Sequence, residues 1–342
     1  MAVDPLKPND SRVEHKFLEI GDVTYHYMLA KPEGQAVATA VLIHGWPDLG
    51  MGWRYQVPYL TSLGLQVIVP DMLGYGQTSA PEAFEEYTMK KMTAHIATLI
   101  KAETDQPVIL GGHDWGGFFI WRMTMYYPEL IRAVFSYCVP FTPPLPFVMT
   151  TEQLAERMPQ FSYQIAFARG DVEAAVGKSP EKVLNFLNGI YGGRTPEGEL
   201  IFAPEHGIYP ERLSSVGPSP FVDPEMIAHY AKEFSRNGFR GPCNWYRTRE
   251  LNGKDELPIA ADYADFKFKV PAMIVMADLD SVLTPQLADG QEKYFAAGLK
   301  KELVEGASHW VMIQKPEESN KHLGDFLQTV LGDDLKKSAS NL

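Results

Sequence analysis

Residues 112–116, Gly-His-Asp-Trp-Gly, place a carboxylate between two glycines at the spacing G-x-nucleophile-x-G. That spacing suits a nucleophile on a sharp turn between a strand and a helix, where glycines let the backbone pass closely. A serine there would attack a planar carbonyl. Asp114 can instead attack a saturated carbon and become the acyl half of an ester. The bland alternative is that Gly111, Gly112, Gly116 and Gly117 only allow tight packing while Asp114 caps the helix. A phosphate loop is excluded, because no Lys-Ser/Thr follows the glycines.

Three further groups could serve such a nucleophile. In His44-Gly45-Trp46-Pro47 the Trp46 amide could meet a developing oxyanion together with the Trp115 amide. Pro47 makes the preceding peptide a candidate cis bond, and His44, Gly45 and Pro47 are read as shaping this loop. Asp280, in "ADLDSVLTP", and His309, in "EGASHWV", come after the nucleophile in the order acid, then histidine. Asp278 is a second choice for the acid.

These residues need a scaffold that brings strand ends together. Short, continuously apolar runs at 38–45, 65–71, 107–112 and 133–139 read as parallel strands buried on both faces. An alternating stretch from Phe17 to Leu29 reads as a hairpin around Gly21-Asp22. Between the strands, Tyr87–Glu103 stripes Met89, Met92, Ile96, Leu99 and Ile100 on one helical face. The alternation stops near Pro140 and resumes with strands at 270–278 and 300–306 and a helix from Pro316. The expectation is an α/β fold with a mostly parallel, doubly wound sheet of about eight strands, formed by residues 1–140 and 266–342. Residues 141–265, rich in aromatics and prolines, form an inserted helical cap. Its Phe161, Phe167, Phe186, Phe234, Phe239 and Trp245, with Phe266, suggest an apolar pocket, and Trp115, Phe161 and Trp245 are the candidate substrate contacts.

Composition narrows the ligand. The 342 residues carry 45% apolar and 22% charged side chains, ordinary globular values, and a formal charge of -12. Without a basic run there is no nucleic-acid footprint, and a small apolar ligand fits better. Two cysteines, Cys138 and Cys243, are too few for a disulfide framework. With no leader-like start and no apolar run of ~20 residues, the cytoplasm is the expected location and no membrane span is expected. The end, "SASNL", lacks the basic middle residue of a peroxisomal address.

The chain resembles the soluble epoxide hydrolases of the α/β-hydrolase fold, with matching motifs from about residue 15 to 332. The elbow, the His-Gly-Trp-Pro loop and "DMLGYGQTSAP" at 71–81 carry the likeness. The resemblance implies two cap tyrosines that hold the epoxide oxygen: Tyr163 in "FSYQIAF" and Tyr246 in "GFRGPCNWYR". It implies hydrolysis of an ether bond, an apolar epoxide and water giving a vicinal diol through an ester on Asp114, by a monomer or homodimer. No metal or organic cofactor is required, and the amino-terminal phosphatase domain of the mammalian enzymes, with its activity, is expected to be absent. An aspartate elbow is shared with the haloalkane dehalogenases, whose loop commonly has Asn where Trp46 stands. A non-catalytic ligand receptor of the same fold is the other alternative.

Overall fold

A computed structural model describes residues 4–260 and 266–335. The carboxyl-terminal "SASNL" and the expected end of the cap at 261–265 lie outside the described residues. The chain divides into two compact units. Met1–Met72, Met89–Pro143 and Asp262–Leu342 form the first, and Leu73–Thr88 with Pro144–Ala261 the second.

The first unit is built on one sheet of β1 (Glu14–Ile20), β2 (Val23–Ala30), β3 (Ala38–Ile43), β4 (Leu65–Pro70), β5 (Val108–His113), β6 (Ile131–Tyr137), β7 (Ala272–Ala277) and β8 (Leu299–Val304). Their spatial order is β1-β2-β4-β3-β5-β6-β7-β8. β2 runs antiparallel to both neighbours and the other pairs from β4 to β8 are parallel. Ile20 pairs with Val23, so the hairpin loop is Gly21-Asp22, and Gly21 takes φ +60° there. This is the α/β-hydrolase arrangement.

Every residue of β5 and β7 is buried, as their unbroken apolar runs require when both faces are covered. β8 differs, because it is the sheet edge with β7 as its partner, and Leu303 is 45% exposed. Register places Ile43 beside Gly112 and Gly112 beside Ser136, which aligns the carboxyl ends of β3, β5 and β6. Sites form at such ends.

Helices Met89–Glu103, Trp115–Tyr126 and Pro316–Leu331 belong to this unit. The first buries the predicted stripe of Met89, Met92, Ile96, Leu99 and Ile100, but it starts two residues later than its periodicity suggests. Thr88 is extended at ψ 148° and separates it from a short 3-10 turn, Phe84–Tyr87.

The second unit is helical, with Tyr163–Arg169, Pro180–Ile190, Pro224–Asn237, Arg240–Arg247 and Arg249–Ala260 and a two-residue ladder of Phe202–Ala203 with Gly207–Ile208. Asp223 caps Pro224–Asn237 by accepting from the Met226 amide at 2.9 Å. In its core Phe239 stacks on Phe234 at 5.1 Å and meets Phe186 edge-on at 4.9 Å. Sequence alternation assigns 73–88 to the sheet unit, whereas the structure groups Leu73–Thr88 with the helices. The physical reason is local: the Trp245 indole donates to the Leu73 carbonyl at 3.1 Å, and Tyr75 meets the edges of Phe234 and Trp245, both at 6.0 Å. Phe266 is grouped in sequence with the cap's aromatics, although it is the first residue of the expected core. Its ring packs on Phe141 and Phe268 in the sheet unit, so it is not a cap aromatic. Among the described residues no helix is long and apolar enough to cross a membrane.

Candidate active site

Asp114 follows the last residue of β5 and precedes the helix Trp115–Tyr126, with φ 52° and ψ -125°. A non-glycine residue held there carries about 1–3 kcal/mol of backbone strain. Its side chain makes no cap hydrogen bond, which removes the helix-cap reading. Instead the Trp46 amide donates to Asp114 Oδ1 at 2.6 Å. The approach is so close that a Cβ on Gly45 would strike the Asp114 side chain, and one on Gly116 would strike the Ile43 carbonyl. Gly45 and Gly116 therefore let the loop and the elbow lie against each other.

The loop after β3 is tied down as expected of a structural histidine. His44 Nδ1–H donates to the Gly45 carbonyl at 2.9 Å, while Nε2 accepts from the Met72 amide at 2.9 Å. The Trp46-Pro47 peptide is cis. The Trp115 amide also hydrogen-bonds Asp114, so both amides proposed from sequence to hold an oxyanion converge on one carboxylate.

Asp280 and His309 reach the same place from the ends of β7 and β8. His309 Nδ1–H donates to Asp280 Oδ2 at 2.7 Å, and Nε2 lies 3.5 Å from Asp114 Oδ2. Asp280 is fixed by accepting the Val282 and Leu283 amides on Oδ1, each at 2.9 Å. Asp278 is exposed and accepts the Ala307 amide at 3.3 Å, so Asp280 takes the position beside the imidazole. Burial alone would raise Asp114, but the hydrogen bond and charge of His309 and the Trp115 amide hold it below the usual carboxylate range. Burial likewise opposes ionisation of Asp280, yet the His309 charge and hydrogen bond pull it down to about 2. Burial opposes a proton on His309, and the two carboxylates outweigh it, raising the imidazole well above 6.5. His309 thus lies between two carboxylates that both favour its protonated form.

Two residues overlooked in the sequence hold the backbone of this histidine. His113 Nε2–H donates to the His309 carbonyl at 2.8 Å, and the Cys138 thiol reaches the same oxygen at 3.6 Å. Burial pushes His113 down to about 4, so it is neutral, and pushes the Cys138 thiol up to about 11. Cys138 has φ 68°, which ends β6 and turns its thiol inward. These two and His309 bring three ligand-type atoms within 4.8 Å of one another. They fit a metal poorly, because the thiol holds its proton, His113 spends its Nε2–H on a carbonyl and His309 is paired with carboxylates. One signal for His113 was available: it directly precedes the nucleophile on a buried strand.

The tyrosines and the proposed substrate contacts of the cap lie in the second unit. Tyr163 and Tyr246 sit with rings 6.0 Å apart at 75°, and Phe167 meets both, at 5.1 and 5.2 Å. Both hydroxyl-bearing rings are buried. Phe161 closes a short turn, Pro159–Phe161, and is half-buried. Trp245 is 1% exposed with its indole N–H engaged, so it packs the cap and is not carried forward as a ligand contact. Trp115 is half-buried, edge-on to Phe118 at 5.7 Å.

A carboxylate nucleophile, two amides at its carbonyl side and an acid-supported imidazole can form an ester and then hydrolyse it. Residues 40–187 match the α/β hydrolase fold family. The chain is 50% identical over 342 residues to epoxide hydrolase srdG of Neurospora crassa, covering 97% of this chain and all of that one. It is 33% identical to bifunctional epoxide hydrolase 2 of Mus musculus, over 95% of this chain and 57% of the mouse protein. Epoxide hydrolase I of potato, Solanum tuberosum, superposes with a TM-score of 0.78 at 26% identity, covering 93% of this chain and 99% of that one. The chain therefore belongs to the epoxide hydrolase family of the α/β-hydrolase fold.

Proposed function

We propose that this protein converts a small apolar epoxide and water to a vicinal diol in two half-reactions. The observation that carries the reading is the His309 imidazole held 2.7 Å from Asp280 and 3.5 Å from Asp114, on a chain of this family. Asp114 attacks an oxirane carbon, forming a C–O bond as the ring C–O bond breaks, while Tyr163 and Tyr246 hold the departing oxygen and one supplies its proton. A phenol, with pKa ~10, is acidic enough to protonate an alkoxide and neutral when it binds. His309 then takes a proton from water as its oxygen adds to the ester carbon, and the Trp46 and Trp115 amides hold the oxyanion. Collapse expels the diol oxygen, which takes the proton from His309. The acid form of Asp114 sheds a proton, which balances the one lost by tyrosine.

Water adds to the enzyme's own carboxyl carbon, so a single turnover in oxygen-18 water should label Asp114 and leave the first diol unlabelled. Label found directly in that first diol would sink the ester scheme. Tyr246→Phe should slow diol formation; halide release from haloalkanes, indifferent to that change, would favour the dehalogenase reading instead. A receptor would produce no diol from any epoxide. The cytoplasm is the setting that two free, buried cysteines favour.

The charge arrangement sets a pH dependence. Ester formation needs the Asp114 anion, whose pKa is depressed, so its rate should hold as pH falls from neutral and fail only below the ordinary carboxylate range. Hydrolysis needs neutral His309. Forming the ester removes the Asp114 charge, one of the causes that raise the imidazole, so its proton is released more easily at that moment. Between pH 8 and pH 5, on the order of a few units around the imidazole range, hydrolysis should slow before alkylation does. Acid-quenched intact-mass spectra should then show ester occupancy rising as pH falls; occupancy that falls instead overturns this order.

A further inference from the structure

The cap carries a second row of polar side chains behind one of its tyrosines. Arg249 opens the helix Arg249–Ala260, and its Nη2 donates to Gln164 Oε1 at 2.9 Å. With its carbonyl so engaged, the Gln164 amide turns Nε2 toward the Tyr163 hydroxyl oxygen, 3.5 Å away. Gln164 is buried, 6% exposed, on the same helical turn as Tyr163, and the Tyr163 amide donates to the Pro204 carbonyl at 2.9 Å. The Tyr163 ring is gripped by the edges of Phe167, Phe202 and Tyr246 at 5.1, 5.3 and 6.0 Å. A buried amide with both ends used is worth more in low dielectric than in water, and a cation at its oxygen polarises its N–H.

We infer that Arg249 and Gln164 are positioning residues for Tyr163: the guanidinium polarises the Gln164 amide, whose N–H donates to the phenol oxygen and makes its O–H the stronger acid. The inference rests on the epoxide reading of the site. A donor at the phenol oxygen has two effects. It occupies a lone pair, so the hydroxyl hydrogen is left to point at the ligand. It also stabilises the negative charge that grows on the phenol as the epoxide oxygen takes its proton. No new reactant enters: the O–H bond of Tyr163 breaks, one O–H bond forms on the substrate, and the charge left on the phenol is removed when Asp114 sheds its proton after hydrolysis.

Two other arginines on the elements around Tyr163 have partners of their own. Arg247 binds Glu173, the Ala168 carbonyl at 2.8 Å and Asn244 Oδ1 at 2.7 Å, and Arg169 binds Asp171. Among the described residues, the hydrogen bonds of Arg249 and Gln164 lead from a cation to the phenol.

The test separates the half-reactions by single-turnover kinetics with a styrene-type epoxide, tracking ester formation and ester decay. Arg249→Met and Gln164→Glu should each slow ester formation by about tenfold, a fraction of what a general acid contributes, and leave the decay rate unchanged. Gln164→Glu is the sharper variant, because a carboxylate keeps and strengthens the bridge to Arg249 but has no N–H for the phenol. Arg249→Lys should recover part of the lost rate. The effect should lie in kcat of the alkylation step. Wild-type alkylation in Gln164→Glu overturns the inference, as does equal slowing of both half-reactions. Tyr163→Phe is the control for the underlying reading: if it fails to slow alkylation, the tyrosine assignment itself falls; if it slows alkylation while the other two variants do not, the fault lies with the Arg249–Gln164 pair alone.

Discussion

His309→Gln should capture one equivalent of epoxide and stop. Glutamine keeps a polar side chain near Asp280 but cannot take a proton from water, so ester formation proceeds and its hydrolysis loses general-base catalysis, about 10²–10⁴-fold in rate. The Trp46 and Trp115 amides still donate to Asp114 in the variant, but the hydrogen bond and charge of His309 that lower its carboxyl are gone, so the mixing is done above neutral pH. Intact-mass spectra after mixing should show the protein heavier by the whole substrate, and peptide mapping should place the adduct on Asp114. A variant that neither turns over nor gains mass would remove histidine from the second half-reaction alone and place it in the first.

Asp114→Ala should give the opposite record: no adduct and no diol, a loss of about 10⁴-fold or more as when a nucleophile is deleted. The sheet does not depend on this carboxylate, since its contacts are to amides and to His309, so circular dichroism should be unchanged. The variant also makes a quantitative link. His309 loses one of the two carboxylates that raise it, so its imidazole resonances should titrate at lower pH than in the wild type, with Asp280 still holding the remainder. An imidazole titration identical in both proteins would mean that Asp114 and His309 are not coupled in solution.

The sheet and the triad were legible for the same physical reason. Strands buried on both faces must be apolar along their whole length, so β3, β5 and β7 stand out, and the polar residues within a few positions of their ends lie at the sheet's carboxyl edge. That brings His44, Asp114 and Asp280 to that edge without any knowledge of register, together with His113 and Asp278, among which the glycine spacing and the contacts of His309 choose. β8 is weaker in sequence, because an edge strand half in water has alternating burial, and it is located mainly by the His309 motif just beyond its end. The features that stayed hidden depend on contacts between residues far apart in the chain. The donation from His113 to the His309 carbonyl spans 196 positions, and neither residue type nor spacing announces it. Leu73–Thr88 reads as a loop of the sheet, yet its carbonyls and rings are used by the helix Arg240–Arg247, as in the bond from Trp245 to Leu73. Phe266 falls within the expected core bounds, but its grouping with the cap's aromatics fails, because an aromatic at a boundary is apolar on either side and Phe141 and Phe268 decide its place.

The edge position of β8 also determines how this catalyst would break down. Edge strands open before central ones, because one neighbour rather than two must be released. Fraying of β8 would withdraw the loop bearing His309 while β3 and β5, deep in the sheet, keep the carboxylate and its amide donor in place. An ageing or overheated molecule would then still accept an epoxide but could not let it go. Heat damage would convert a recycling enzyme into a single-use scavenger, its last act being to mark itself with the compound it met.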